Sequence, residues 1–463
     1  MASDHFKWNE DDARTKFAEA LSAMYAQEVP LYQDLVSIVR DVDQSVLASS
    51  KHPVQHIEPR HQIERHGAIR LGTEQELRSI SRLFALFGMH PVGYYDLTAV
   101  GFPLHATAFR PISEESLAHN PFRVFTTLLR LDMVPEALRR KAENVLQQRR
   151  LFSPRLLQLI DRAETGSLTT NKGFAELLEE ALHIFRWQSR STVTYDEYRA
   201  LKSEHPIIAD IVCFPSAHIN HLTPRTLDID AVQSEMVQRG LPAKERIEGP
   251  PVRTCPILLR QTSFKALDER VVFESTAAAG VTGTHTARFG EVEQRGAALT
   301  RKGRKLYDQL LAQATQEAET SGTCFDAAVH SAFKAFPDTW SQLREQGLIF
   351  VRYKVATSGA RAASNKFPSG ECLEIDDLLA SKLVEFEPLT YEDFLPLSAA
   401  GIFRSNLTGV AINSQQQVDD DHRREFELAL GRQPLDEFGL YAALQQESID
   451  RCAEALGVAG IVA

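Results

Sequence analysis

The sequence predicts an α+β protein: two β-α-β-β-β modules forming a central curved sheet or half-barrel, with helical insertions and a C-terminal cap. Three observations predict it. A strand-like segment carrying His-x-x-x-Arg occurs twice, at His66 and Arg70 and again at His221 and Arg225. Each copy runs into a helix-like segment and then into short β-like runs, so one element order recurs. Between and after the copies, apolar residues take helical spacing over long stretches.

Phe17, Leu21, Met24 and Tyr25, then Leu35, Val36, Ile38 and Val39 beyond Pro30, give helical spacing at 13–45. A polar connection covers 51–60. After the strand bearing His66, Thr73 and Glu76 make a capping box, and Leu77, Ile80, Phe84 and Phe87 line a helix that Gly88 stops. Runs at 92–97, 104–109 and 123–131 complete the first module. Residues 134–203 read as helical throughout. The order then returns: a strand at 217–222, a helix carrying Ile229, Val232 and Val237 up to Gly240, and strands at 256–264, 270–274 and 285–294. In the tail, Thr300 caps a helix, 348–355 is an apolar strand, 359–370 is a Ser/Ala/Gly-rich loop, and 395–406 suits a pocket wall. The expected division is therefore 1–60 N-terminal helical segment, 61–131 first module, 132–205 helical insertion, 206–298 second module, and 299–463 helical and pocket-closing region.

Composition narrows the function. The 463 residues are 43% hydrophobic and 24% charged, with a formal net charge of −11. No concentrated basic surface offers itself to phosphates, which argues against nucleic acid. Five cysteines lie far apart without CxxC spacing and read as reduced thiols rather than a zinc site. No signal-like or bilayer-length apolar run is present, so no membrane association is expected, and the expected setting is cytoplasmic. Oligomeric state is not legible.

The chemistry lies on the repeated strands. Two histidines facing each other across a sheet, with a carboxylate from a third strand, make a 2-His-1-carboxylate set that leaves three metal positions open. Glu291 and Glu293 share a strand face about 7 Å apart, so spacing does not choose between them. His61 rivals His66, and His218 rivals His221; alignment of the two repeats favours His66 and His221. His285, expected on the same strand as Glu291, sits roughly 20 Å from it and outside the set. Arg70 points the same way as His66, about 13 Å along the strand, leaving room for a short dicarboxylate between metal and guanidinium. Arg225 is the poorer anchor, because Pro224 should disturb its strand.

These residues carry a resemblance over nearly the whole chain. The segments Arg65-His66-Gly67-Ala68-Ile69-Arg70, Ile219-Asn220-His221-Leu222-Thr223-Pro224-Arg225, Arg288-Phe289-Gly290-Glu291-Val292-Glu293-Gln294-Arg295-Gly296 and Ser398-Ala399-Ala400-Gly401-Ile402-Phe403-Arg404-Ser405-Asn406 resemble the bacterial 2-oxoadipate dioxygenase/decarboxylase (2-hydroxyglutarate synthase) family. That family is related to the vicinal oxygen chelate superfamily. The resemblance implies His66, His221 and Glu291 as Fe(II) ligands, with Glu291 preferred because Phe-x-Glu-Val-x-Gln-Arg is similar to the ligand strand of 4-hydroxyphenylpyruvate dioxygenases. It implies that Arg70 binds a substrate carboxylate. Leu397 and Ser398 fall at a pocket position, Leu397 standing where some members have Val, which would narrow the pocket. The implied reaction converts 2-oxoadipate and O2 to 2-hydroxyglutarate and CO2 in lysine catabolism. The rival readings are another vicinal-oxygen-chelate metalloenzyme, an isomerase or a dioxygenase on a different 2-oxo acid, and a metal-free binding protein.

Overall fold

The structure is a computed structural model that describes residues 7–49, 58–98, 101–275, 280–356, 372–395 and 420–462. The segments expected as a Ser/Ala/Gly-rich loop and most of the expected pocket wall, including Leu397 and Ser398, lie outside the described residues. The chain divides into two compact units. One comprises Met1–Glu248, Arg260–Gln294 and Asp393–Leu435; the other comprises Gly249–Leu259, Arg295–Glu392 and Asp436–Ala463.

The first unit opens with helices Glu10–Glu28 and Pro30–Ala48, separated at Pro30 as expected. Their apolar faces are buried: Phe17 stacks on Phe87 at 4.7 Å. Over 61–131 come β1 (Arg65–Leu71), helix Glu74–Ala85, β2 (His90–Asp96), β3 (Leu104–Arg110) and β4 (Arg123–Leu129), the expected strands and helix, with a short helix Glu114–His119 before β4 that the expected order lacks. Thr73 and Glu76 form the capping box, and Gly88 takes the left-handed conformation, φ +63°. Three helices occupy 136–185, but the expectation of helix throughout the insertion fails at β5 (Arg190–Thr194). That short strand is held by parallel pairing with a distant partner, which local spacing does not reveal.

The second module departs from expectation at both ends. The strand expected at 217–222 is only β6 (Leu222–Pro224). The backbone before it is spent elsewhere: the Ala217 and Ile219 amides donate to the Ile184 and Phe185 carbonyls, and the Asn220 amide donates to Ala68. Pro224 ends the strand rather than interrupting it. After helix Ile229–Gln238 come β7 (Leu259–Ser263), β8 (Asp268–Glu274), β9 (Val281–Thr286) and β10 (Glu291–Arg295). The single strand expected at 285–294 is thus two.

Among the described residues several small sheets result, none closed. The largest has the order β2-β3-β4-β1-β6, while β10 pairs with β7, and β5, β8 and β9 form a third. First strands of the two modules meet antiparallel, His66 opposite Thr223 and Gly67 opposite Leu222. Gly67 permits this approach, since a Cβ there would lie 2.5 Å from Ile219 Cδ1 and 3.0 Å from the His221 carbonyl oxygen. The Thr226 amide donates to the Glu293 carbonyl at 2.8 Å, and the Phe289 amide to Asn220 at 3.1 Å, bringing the approach to β10 alongside that to β6. The Tyr25 hydroxyl lies 2.6 Å from the Phe289 carbonyl oxygen and 3.0 Å from that of Asn220, donating to both.

In the second unit, helices Arg301–Ser321 and Phe325–Ala332 precede β11 (Val351–Val355), which covers the later part of the strand expected at 348–355. It pairs antiparallel with Val384–Pro388. The five cysteines are free thiols.

Candidate metal centre

Three segments of the first unit bring His66, His221 and Glu291 together. Their ligand-capable atoms lie within 4.8 Å of one another, and all three side chains are buried. His66 comes from β1, His221 from the residue before β6, and Glu291 from the first position of β10. The His66 and His221 rings meet edge-on at 5.4 Å.

Contacts divide the two oxygens of Glu291. Oε1 accepts from Gln261 Nε2 at 2.7 Å and Thr223 Oγ1 at 3.0 Å, and lies 2.9 Å from His66 Nε2. Oε2 is buried and has no hydrogen-bond partner among the described residues. His221 Nδ1 is likewise buried and unpartnered among them. Desolvating an unpaired carboxylate oxygen is costly, and a cation bound by these groups would remove that cost. Two imidazoles and a carboxylate are also a donor set that divalent transition metals accept, so the residues fit a metal.

Electrostatics sort the two histidines. Burial pushes the His221 imidazole down to about 3, against the pull of Glu291, so near neutrality it keeps a lone pair for a metal. Burial also opposes charge on His66, but Glu293 and Glu291 outweigh it and hold its pKa above the ordinary value. Glu293 Oε2 stands 2.9 Å from His66 Nδ1, at ion-pair distance though without hydrogen-bond alignment. Both acids that spacing left undecided therefore face His66, one at each ring nitrogen. Glu291 is the one that also approaches His221, at 4.0 Å. A carboxylate behind a ligand histidine fixes the ring and raises its basicity, the role open to Glu293.

The rival histidines are engaged elsewhere. His61 Nε2 contacts Asp43 at 2.8 Å. His218 and His285 both reach Asp210 Oδ1, at 3.0 and 2.8 Å. Arg225 pairs with Glu64 at 3.0 Å. Arg70 is buried on β1, and its Nη1 donates to Asp210 Oδ2.

Sequence reasoning missed Thr223, Gln261, Asp210 and Phe394. The Phe394 ring packs edge-on against His66 at 5.0 Å and lies 5.2 Å from Phe125. Its neighbour Asp393 grips Arg110 through two hydrogen bonds of 2.6 and 3.1 Å. Thr223 had a signal, since it falls within the repeated motif two residues beyond His221. The others sit in segments with no periodic relation to the ligands.

The chain is similar to known proteins along nearly its whole length. The sequence model of the 2-oxoadipate dioxygenase/decarboxylase family matches residues 17–406. The chain is 47% identical over 460 residues to the 2-oxoadipate dioxygenase/decarboxylase of Pseudomonas putida, covering 97% of each. It is 49% identical over 456 residues to that of Escherichia coli, covering 96% of this chain and 98% of the relative. The crystal structure of the hydroxyglutarate synthase in complex with 2-oxoadipate from Pseudomonas putida superimposes with a TM-score of 0.86 at 44% identity, covering 98% of this chain and 100% of the other. This chain belongs to the 2-oxoadipate dioxygenase/decarboxylase family.

Proposed function

We propose that this protein is an Fe(II)-dependent dioxygenase/decarboxylase that converts 2-oxoadipate and O2 to 2-hydroxyglutarate and CO2, a cytoplasmic step of lysine catabolism. The observation that carries the reading is the buried His66, His221 and Glu291 set with Glu291 Oε2 unpartnered, in a chain 47% identical to a 2-oxoadipate dioxygenase/decarboxylase. The balance closes: six carbons of the oxo acid become five plus CO2, and both atoms of O2 stay in the products. Iron held by His66, His221 and Glu291 would supply the electrons that O2 chemistry requires and the Lewis acidity to chelate a 2-oxo acid.

The chain's own residues do the rest. Gln261 and Thr223 hold Glu291 Oε1, which leaves Oε2 for the cation. Glu293 stabilises a fixed His66 ring. Phe394, Phe125 and Phe289 keep bulk water from the ligands, Phe289 lying 4.8 Å from the His221 ring. Arg70 anchors a substrate carboxylate through its planar fork. Leu397 and Ser398 belong to the pocket wall in this reading. The paired first strands of 61–131 and 206–298 support two modules sharing one curved sheet, the architecture of the vicinal oxygen chelate superfamily, flanked by the insertion at 132–205 and the segments 1–60 and 299–463.

The test is O2 uptake by anaerobically Fe(II)-loaded protein given 2-oxoadipate, 2-oxoglutarate or 4-hydroxyphenylpyruvate. The expected result is uptake with 2-oxoadipate alone, yielding equimolar CO2 and 2-hydroxyglutarate. Uptake with a different acid alone would move the substrate. No uptake by protein holding one iron would overturn the reaction.

A further inference from the structure

We infer that Asp210 is a positioning residue for Arg70, and that a buried network of Tyr198, His285 and His218 holds Asp210 in place. The inference rests on the reading of Arg70 as the substrate anchor. A buried guanidinium needs a counter-charge, and Asp210 supplies one, its Oδ2 accepting from Nη1. The other oxygen, Oδ1, is fixed by two imidazoles, His218 Nε2 at 3.0 Å and His285 Nε2 at 2.8 Å. His285 is oriented in turn: the Tyr198 hydroxyl lies 3.0 Å from its Nδ1, and donation there leaves Nε2–H aimed at Asp210. Aromatic rings lock both imidazoles, with Trp187 edge-on to His218 at 4.8 Å and Phe214 at 4.6 Å from His285.

Asp210, His218 and His285 also gather ligand-capable atoms within 4.8 Å, so a second metal site has to be weighed. The contacts oppose it. Both carboxylate oxygens are engaged, and a cation would have to displace a guanidinium from Oδ2. Burial alone would raise the Asp210 carboxyl, but Arg70 and His218 outweigh it and hold it well below the ordinary value, so the ion pair persists. The cluster serves Arg70 instead. Arg70 lies four residues beyond His66 on β1, an even spacing that puts both on one face of the strand. A guanidinium has five N–H donors in one plane, so it can serve two carboxylates at once. Asp210, by holding Nη1, sets the plane that the substrate carboxylate meets.

A double-variant cycle on full-length, Fe(II)-loaded protein tests this, reading KM and kcat for 2-oxoadipate. Asp210→Asn keeps the shape and removes the charge. The expected KM rise is roughly tenfold or more, with kcat within about twofold. In an Arg70→Met background, where KM is already raised, Asp210→Asn should add nothing, because the two act as one unit. A merely structural role for Asp210 would add its cost in both backgrounds, and that result overturns the proposal, as does an unchanged KM in the single variant. An unchanged KM in Arg70→Met alone overturns the anchoring role of Arg70 itself, a separate failure. Should Asp210→Asn not fold, His285→Gln keeps the ion pair and loses one support. It should raise KM by about threefold with wild-type Arg70 and leave KM unchanged in Arg70→Met. Equal effects in both backgrounds would overturn the proposal just as firmly.

Discussion

Two clusters in the first unit have the same composition, two histidines and one carboxylate, and both are buried. At His66, His221 and Glu291, one carboxylate oxygen collects the polar neighbours while the other has no partner among the described residues. At His218, His285 and Asp210, one oxygen takes both imidazoles and the other takes a guanidinium. Donor identity and proximity therefore do not separate a metal centre from a hydrogen-bonded anchor. The charge standing behind the carboxylate does. Glu291 faces the neutral donors Gln261 and Thr223 and two imidazoles, with no guanidinium on its carboxylate among the described residues, whereas Asp210 is already paired with the permanently charged Arg70.

The contrast can be broken most sharply by removing a carboxylate from the first cluster. Glu291→Gln should abolish stoichiometric iron and O2 uptake, while His218→Gln should retain one iron per chain; metal analysis after desalting checks both. Equal iron loss from the two variants would erase the distinction. Next in size, Fe(II) at a hundredfold excess over its Kd should stabilise the wild type by about 2.7 kcal/mol, seen as a raised Tm that a chelator reverses. Glu291→Gln should show no such shift. Asp210→Asn should destabilise the metal-free protein by roughly 3 kcal/mol by removing the buried charge that Arg70 faces. Because the Asp210 carboxyl is depressed in the folded state, its stabilising contribution is present above the ordinary value of 3.8 and is lost as pH falls through the lower folded value. The Tm gap between wild type and variant should therefore be constant near neutrality and shrink only in strong acid. Glu293→Gln, acting behind a ligand, should weaken iron binding by about 10- to 100-fold without abolishing it. A competitive chelator titration measures that difference.

Much of the candidate site is legible in the sequence through strand alternation and the internal repeat. His66 and Arg70 share a face by alternation, Glu291 and Glu293 do the same, and the repeated strand opening selected His221 over His218. The anchor was not legible. Asp210 lies on the short helix Pro206–Val212, and nothing about that helix points to a residue on β1. The sequence reads His285 and Glu291 as one strand, and no proline at 287–290 marks the break between Val281–Thr286 and Glu291–Arg295. Packing enforces the break instead: a Cβ at Gly290 would stand 2.2 Å from Phe264 Cε1, a constraint that exists only in three dimensions. The strand pairing that holds β5 is similarly non-local.

The Tyr25 hydroxyl has a consequence for how the molecule comes to exist. It joins the first helix to a carbonyl 264 residues away, beside two of the ligand-bearing segments. Closing so long a loop is slow, because the entropy of bringing distant segments together is spent before any contact returns it. During synthesis, the helix waits for almost two-thirds of the chain before its acceptor is made, and Glu291 follows only two residues later. The three side chains therefore come together only after almost two-thirds of the 463 residues have been made. A nascent polypeptide that stalls before residue 291 exposes two histidines without the carboxylate that would make them a centre.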